Sequence, residues 1–512
     1  MSDMHYNSEK YNIYEEYYRI TGMWWLKGSN VLEPLKERLN KRREMCEQNS
    51  VNNLIERLIV DDYIKITYDT KKYLLNTNAR RLRRVIYDYL AIFDFVNAFY
   101  YMEEYIRRKY WNYKKYQRMK RDLEKLIKQI KIRLAKREDI IVFWTDNVSY
   151  NELEWMPKLQ KKSKDSLFFE NAYTPTPYTR PTMCAMANKW LDIDDFGKDD
   201  LRNLNSHNSI LLRKIYEYGF EAKYFDVGPG NGPCVFDKSI QHWTDRWHDS
   251  TCRICFDAIN ELLNTEKKQV MIIHAVMEVH PPHIYPDKHG QIPHMQMDYK
   301  RGELERKRGR GYQQIRNAAE YWDEQLDFYS GLLGEFTTKI HMSDHGKVGG
   351  KGGRRYKEWV ESKNHVFFFL QSKYVKSKLE KRLFTLESFA ELMEEVMKAH
   401  QTGQEINLEK VLKKPFMKVQ KIDTYNEILV KFLKAVHCEE CGQSYRGIRT
   451  LEDYYLRFRD HELYYRNGDE ETNLIDDPKY ADRIEELRAL AGDYFIDISK
   501  NEKFKYAREL YH

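Results

Sequence analysis

The most regular apolar pattern in this chain is a set of short, continuous runs separated by amphipathic stretches. Ile140-Ile141-Val142-Phe143-Trp144 is the first, and comparable runs occupy 222–227, 270–276, 338–342 and 366–370. A short apolar run without alternation fits a strand covered on both faces, as in a parallel sheet. Between these runs, 210–218, 257–263 and 315–333 carry helical periodicity, and a helix over 386–399 closes the series. Strands alternating with helices predict an α/β domain: a mostly parallel sheet with helices on both faces.

The texture before that domain is different. Leu123, Ile127, Ile130 and Leu134 recur at helical spacing, while Lys125, Lys128, Lys131, Arg133, Lys136 and Arg137 fill the other faces. That reads as a helix packed on one side and solvated on the other, with a surface for nucleic acid, anionic lipid or an anionic substrate as the alternative. Asn76 and Asn78, ahead of the basic run Arg80 to Arg84, mark a break between helices. Residues 1–137 therefore read as a basic helical N-terminal domain and 138–405 as an α/β domain. Residues 406–512 read as a small α+β C-terminal subdomain, with short strands over 445–449, 454–459 and 462–465 and a terminal helix over 480–490.

Composition narrows the class. The 512 residues are 42% hydrophobic, 32% charged and 14% aromatic, which supports a packed core and speaks against disorder. The net charge of +7 is the small difference between 86 basic and 79 acidic residues, so it does not by itself announce a nucleic-acid partner, and nucleic acid is not the expected one. Residues 1–10 are polar, with no apolar segment behind a basic start, and no run reaches the ~20 apolar residues of a membrane helix. Seven cysteines are too few for a disulfide scaffold. The expectation is a reduced, cytoplasmic protein with no integral membrane segment and an oligomeric state the sequence does not specify.

In an open α/β sheet, ligands bind beyond the carboxyl ends of the strands. Asp146-Asn147 ends the first apolar run and Asp344-His345-Gly346 follows the run at 338–342. A carboxylate, an amide and an Asp-His pair suit a hard or borderline divalent cation. Between them in sequence lies Asn171-Ala172-Tyr173-Thr174-Pro175-Thr176-Pro177-Tyr178-Thr179-Arg180-Pro181-Thr182. Such a loop is an ordered connection, or it presents a hydroxyl nucleophile whose pKa a metal lowers. Met277-Glu278-Val279-His280-Pro281-Pro282-His283 leaves the run at 270–276 and brings histidines to the same edge, and His365 opens the run at 366–370.

In this order, the motifs resemble the sulfatase branch of the alkaline phosphatase superfamily. Ile140 to Phe169, with Asp146, Met156-Pro157 and Phe168-Phe169, is similar to that family's opening strand, metal aspartate and following helix. Asn171-Ala172-Tyr173 resembles the segment before its nucleophile, and Ile210-Leu211-Leu212 with Tyr218-Gly219-Phe220 its helix-plus-glycine element. Met342-Ser343-Asp344-His345-Gly346 matches its metal motif. Tyr445 to Thr450, Glu462-Leu463-Tyr464, Glu471-Thr472-Asn473-Leu474 and Asp477-Pro478 resemble its C-terminal subdomain, so the resemblance spans roughly 138–495. It implies an alkaline-phosphatase-like fold with Asp146, Asn147, Thr179, Asp344 and His345 around a divalent metal. Manganese or zinc is favoured by the Asp-His pair, with calcium or magnesium as alternatives.

Two departures shape the functional expectation. The family's Cys-x-Pro-Ser-Arg motif falls on Thr179-Arg180-Pro181-Thr182-Met183, so a threonine stands where formylglycine would form. A threonine nucleophile resembles phosphoethanolamine transferases and lipoteichoic acid synthases instead. A register with Thr176 as nucleophile and Arg180 four residues later is the alternative. His280 resembles the family's histidine at the transferring group or leaving oxygen, while Arg180, His283 and His365 are candidates for substrate contact. The family's lysines and histidines after the glycine element are missing, and the sequence there reads Phe225-Asp226-Val227-Gly228-Pro229-Gly230-Asn231-Gly232, loosely like the substrate loop of phosphoethanolamine transferases. The resemblance thus implies a metal-dependent phosphotransferase or phosphodiesterase acting on a phosphoester-type small-molecule, lipid-linked or glycan substrate. Sulfuric-ester or phosphonate-ester hydrolysis without formylglycine is the alternative, and a non-catalytic binding protein on this scaffold is a third. Cys252/Cys255 and Cys438/Cys441 are read as separate reduced cysteines, with a shared zinc site as the alternative.

Overall fold

The computed structural model describes residues 11–24, 79–177, 179–188, 209–226, 241–243, 250–276, 278–279, 310–346, 364–421, 445–458, 461–466 and 472–492. Its centre is an eight-stranded sheet in the order β4-β3-β5-β1-β6-β7-β2-β8. The strands are β1 (Ile140–Thr145), β2 (Leu167–Tyr173), β3 (Glu221–Asp226), β4 (Gln241–Trp243), β5 (Gln269–Ala275), β6 (Thr338–Ser343), β7 (Phe368–Gln371) and β8 (Lys378–Thr385). All pairings are parallel except those of β7, which runs against both β6 and β2. The apolar run at 366–370 is therefore the one reversed strand of a mostly parallel sheet.

The uninterrupted apolar runs have a direct cause. In β1 every residue is buried, and its side chains alternate between two separate cores. Ile141 and Phe143 join the core on one face, and Ile140, Val142 and Trp144 join the core on the other. Met271, Ile273 and Ala275 of β5 follow the first set, and Val270 and Ile272 the second. A strand with two dry faces has no polar positions to spare, which is the signal read from the sequence.

On the first face lie the helices Ile13–Thr21, Ala79–Ala91, Phe95–Arg107 and Tyr113–Leu134, together with Thr251–Asn264 and Arg310–Ser330. The helices before residue 137 thus share one continuous core with the sheet. Leu123, Leu126, Ile130 and Leu134 of the basic helix face that core, and its lysines face outward. On the second face lie Thr179–Asn188, Ile210–Glu217 and Phe389–Thr402. A four-stranded antiparallel sheet, β12-β11-β10-β9, follows. It comprises β9 (Met417–Lys421), β10 (Tyr445–Arg449), β11 (Asp453–Arg457) and β12 (Glu462–Arg466), with the helix Ala481–Ala491 against it. Among the described residues, no helix is long and apolar enough to cross a membrane.

Candidate metal centre

Side-chain alternation decides what meets at the carboxyl edge of the sheet. Trp144, Tyr224, Ile272 and Met342 all point to the second face, on strands that are neighbours in the order β3-β5-β1-β6. Continuing each strand by two residues brings Asp146, Asp226, His274 and Asp344 to that same face at the same end. The helix beginning at Thr179 lies on this face as well.

Asp146, Asp344 and His345 are all buried, and one ligand atom from each lies within 4.8 Å of the others. The turn after Asp146 is made by Asn147 in the left-handed region, φ 59°, which asparagine tolerates better than most residues. That turn aims the Asn147 backbone N–H at Asp344 Oδ1, 3.0 Å away, and the His345 N–H donates to the same oxygen at 2.8 Å. Among the described residues Asp344 Oδ2 accepts no hydrogen bond, and His345 Nε2 lies 3.4 Å from it. Burial first, and then the neighbouring Asp146 carboxylate, hold Asp344 above its ordinary carboxyl range.

The donor set fits a divalent cation. A buried, unbonded carboxylate oxygen beside a second carboxylate is costly unless a cation sits between them. His345 Nδ1 lies 2.9 Å from the Gly346 carbonyl, an acceptor, so Nδ1 carries a proton and Nε2 is the nitrogen turned toward the cluster. Two carboxylates and an imidazole suit manganese, zinc or another borderline ion.

Thr179 reaches this cluster. Its Oγ1 lies 3.1 Å from His345 Nε2 and 3.4 Å from Asp146 Oδ2. It opens the helix Thr179–Asn188, whose amino-terminal end carries partial positive charge. The loop delivering it is fastened from both sides. Thr174 Oγ1 and Thr182 Oγ1 both donate to the Thr176 carbonyl, at 3.0 and 3.2 Å, and lie 2.9 Å from each other. Asn364 then clamps Thr174, accepting from its N–H at 2.8 Å and donating to its carbonyl at 2.9 Å. Thr176 itself is buried, at 3% exposure, and among the described residues Thr179 is the threonine whose hydroxyl reaches the cluster.

The other sequence candidates fall elsewhere. His365 is stacked between Tyr150 and Tyr173, with ring centroids 4.1 and 4.6 Å away, and its Nε2 meets the Glu170 carbonyl at 2.8 Å. It serves the strand edge rather than the cluster. Asn147 contributes its backbone N–H, as described. His280, His283, the side chain of Arg180, the glycine-rich stretch 228–232 and Cys438/Cys441 lie outside the described residues. Cys252 and Cys255 are free, at the start of the helix Thr251–Asn264, and burial pushes both thiols well up.

One group was not anticipated. His274, in the middle of an apolar run, lies with Nε2 3.1 Å from Asp146 Oδ2 and with Nδ1 2.9 Å from Tyr224 Oη and 3.4 Å from Asp226 Oδ2. Burial alone would keep it neutral; Asp226 and Asp146 outweigh that and push its pKa up to about 10. The signal was parity. His274 shares the face of Trp144 and Asp146, whereas His341 in β6 lies on the opposite face, stacked on Phe143 and Phe369 and held well down by burial.

No family model matches the chain, and no curated protein matches it. Among solved structures it is similar to a 2-O GAG sulfatase, at 15% identity over 69% of this chain and 91% of that one, TM-score 0.47. A phosphonate monoester hydrolase from Silicibacter pomeroyi gives 11% identity over 71% and 97%, TM-score 0.48. A protein of the alkaline phosphatase superfamily from Vibrio parahaemolyticus gives 12% over 70% and 86%, TM-score 0.47. At such identities and TM-scores these are likenesses only, and the chemistry of the site has to come from its own residues.

Proposed function

We propose that this chain is a metal-dependent enzyme of phosphoryl transfer, a phosphotransferase or phosphodiesterase in which Thr179 is the nucleophile. The observation that carries the reading is the Thr179 hydroxyl, 3.1 Å from His345 and 3.4 Å from Asp146, two members of the buried ligand cluster. Asp146, Asp344 and His345 would hold the cation, manganese or zinc by their chemistry. When bound, such a cation supplies Lewis-acid stabilisation of a threonine alkoxide and of charge on the phosphoryl oxygens.

The residues supply the rest. The clamped loop fixes where Thr179 stands, and pre-positioning of this kind replaces an entropic cost of bringing the nucleophile to phosphorus. Its P–O bond forms as the bond to the leaving oxygen breaks, and Asp146 Oδ2 is an acceptor within reach of the hydroxyl proton. The threonine ester is then cleaved by water or by a second hydroxyl, which separates hydrolase from transferase. Arg180, His280 and His283 are the proposed contacts to the phosphoryl group and the leaving oxygen.

Thr179→Ala should reduce turnover of a model phosphodiester by at least ~100-fold while the protein still binds the cation through Asp146, Asp344 and His345. Mass spectrometry over residues 176–183 of wild-type protein quenched during turnover should find phosphate on Thr179. Full activity in the variant removes the nucleophile assignment. A panel of phosphodiesters, phosphomonoesters, phosphonate esters and sulfate esters distinguishes phosphoryl from sulfuryl chemistry.

A further inference from the structure

Beside the ligand cluster, strands β3, β5 and β1 carry a connected row of buried polar groups: Tyr224, Asp226, His274 and Asp146. The side chains of His274, Asp146 and Asp226 are 0%, 1% and 6% exposed. Tyr224 Oη lies 3.0 Å from Asp226 Oδ2 and 2.9 Å from His274 Nδ1, and Asp226 Oδ2 lies 3.4 Å from Nδ1, so the imidazole is held on its far side by two oxygens. On its near side Nε2 faces Asp146 Oδ2. His274 does not join the set whose ligand atoms lie within 4.8 Å of one another, so it is placed behind Asp146 rather than among the ligands.

The hydrogen-bond logic has only two solutions. If the Tyr224 proton goes to Asp226, Nδ1 must itself donate and both ring nitrogens carry protons. If the Tyr224 proton goes to Nδ1, the ring is neutral with its one proton on Nε2. Either way Nε2–H donates to Asp146, because a carboxylate can only accept. The contact is therefore the same in both protonation states.

We infer that His274 is a positioning residue for the metal centre. Its Nε2–H holds Asp146 Oδ2 and thereby turns Oδ1, 4.0 Å from His345 Nε2, toward the other two ligands. This rests on reading Asp146, Asp344 and His345 as a metal site. Carboxylate ligands ordinarily need such an outer hydrogen bond to stay in orientation, and its loss typically weakens metal binding about 10- to 100-fold. Tyr224 and Asp226 extend the support by fixing the ring. A histidine that merely filled the core would need no such partners, as His341 shows one strand beyond β1.

The test uses the full chain and compares His274→Phe, His274→Gln and Asp226→Asn with wild type. Manganese and zinc dissociation constants are measured by competition with a chelating dye, and thermal unfolding is followed in EDTA. His274→Phe, which keeps the ring volume, should weaken both metals about 10- to 100-fold. His274→Gln, whose amide can still donate to Asp146, should recover much of that loss, and Asp226→Asn should fall between. Nitrogen-15 spectra of zinc-loaded and metal-free wild type should both show His274 Nε2 protonated. Unchanged metal affinity in His274→Phe overturns the inference and leaves the metal-site reading standing. If that variant does not fold, unchanged affinity in both His274→Gln and Asp226→Asn does the same. Wild-type protein that binds neither metal overturns the metal-site reading, and this inference with it.

Discussion

Two regions bury aspartates, and they treat them in opposite ways. In the C-terminal sheet, Asp453 at the start of β11 is met by Arg483 Nη2 at 2.6 Å, Tyr464 Oη at 2.7 Å and Thr450 Oγ1 at 3.2 Å. Burial would raise its pKa, but Arg483 and Tyr464 outweigh burial and hold it below the ordinary value. At the carboxyl edge of the main sheet, Asp344 meets the same desolvation with a second carboxylate as neighbour, and its pKa moves up. The first arrangement is complete and contributes to stability. The second is a liability on its own, and a fold keeps such a liability where something outside the chain completes it.

The comparison breaks most directly at the ligand cluster. Asp344→Ala should weaken manganese or zinc binding by on the order of a thousandfold, equivalent to about 4 kcal/mol, since it removes one of three protein ligands. Titration with a chelating dye reads this. Asp453→Ala should leave the metal constant where it is. Equal metal affinity in wild type and Asp344→Ala would make the buried pair an ordinary structural feature and erase the contrast.

A third buried carboxylate sharpens the contrast by sitting between the two cases. Glu278 accepts from the Thr251 N–H at 2.9 Å and from the Thr251 hydroxyl, at the start of the helix Thr251–Asn264, and among the described residues no cation pairs with it. Burial outweighs those bonds, and its pKa is pushed up to about 7 from 4.5. A carboxyl with a raised folded pKa is most favourable when protonated. Stability should therefore be greatest below about pH 4.5 as far as this group goes, and fall as pH rises through about 7, by about 3 kcal/mol in total. Denaturant midpoints across that window read the slope, and Glu278→Gln, which keeps an acceptor for Thr251, should flatten it. Hydrogen bonds alone, on this account, do not replace a positive partner.

Much of this was legible in the residues, and the failures have physical causes. The central strands β1 and β5 are legible because two dry faces leave a continuous apolar run, and β3 and β6 are legible to within a residue although Glu221, Lys223 and Lys339 sit at half-covered positions. β2 was not, because Glu170 and Asn171 interrupt Leu167–Tyr173 at half-covered positions. β8, with Lys378, Lys381 and Arg382, lies at the sheet edge, where charge is tolerated and hides the strand. The reversal of β7 leaves no trace in composition, since direction depends on the connection and not on the strand. Asp146, Asp344 and His345 stood out as polar residues closing apolar runs. His274 and Asp226 did not. A lone histidine in an apolar strand looks the same whether it meets rings, as His341 does, or carboxylates. The strand order β3-β5-β1-β6 is what separates the two, and that is a property of the fold.

The smallest expected effect is also the one most specific to the contrast, because one substitution should change stability in opposite directions at the two sites. Asp453→Asn keeps the shape and an acceptor for Tyr464 but removes the charge that faces Arg483. Loss of a charge-assisted hydrogen bond to a partly exposed guanidinium costs about 2 kcal/mol. Asp344→Asn, measured in EDTA, removes one of two neighbouring buried carboxylates and still offers Oδ1 to the Asn147 and His345 N–H groups. Metal-free protein should gain about 1 kcal/mol from that relief, on the order of the stabilisation that comes from neutralising a functional-site charge. Chemical unfolding of the two variants beside wild type decides it. If both substitutions destabilise equally, Asp344 is as well satisfied as Asp453, and the cluster does not call for a cation.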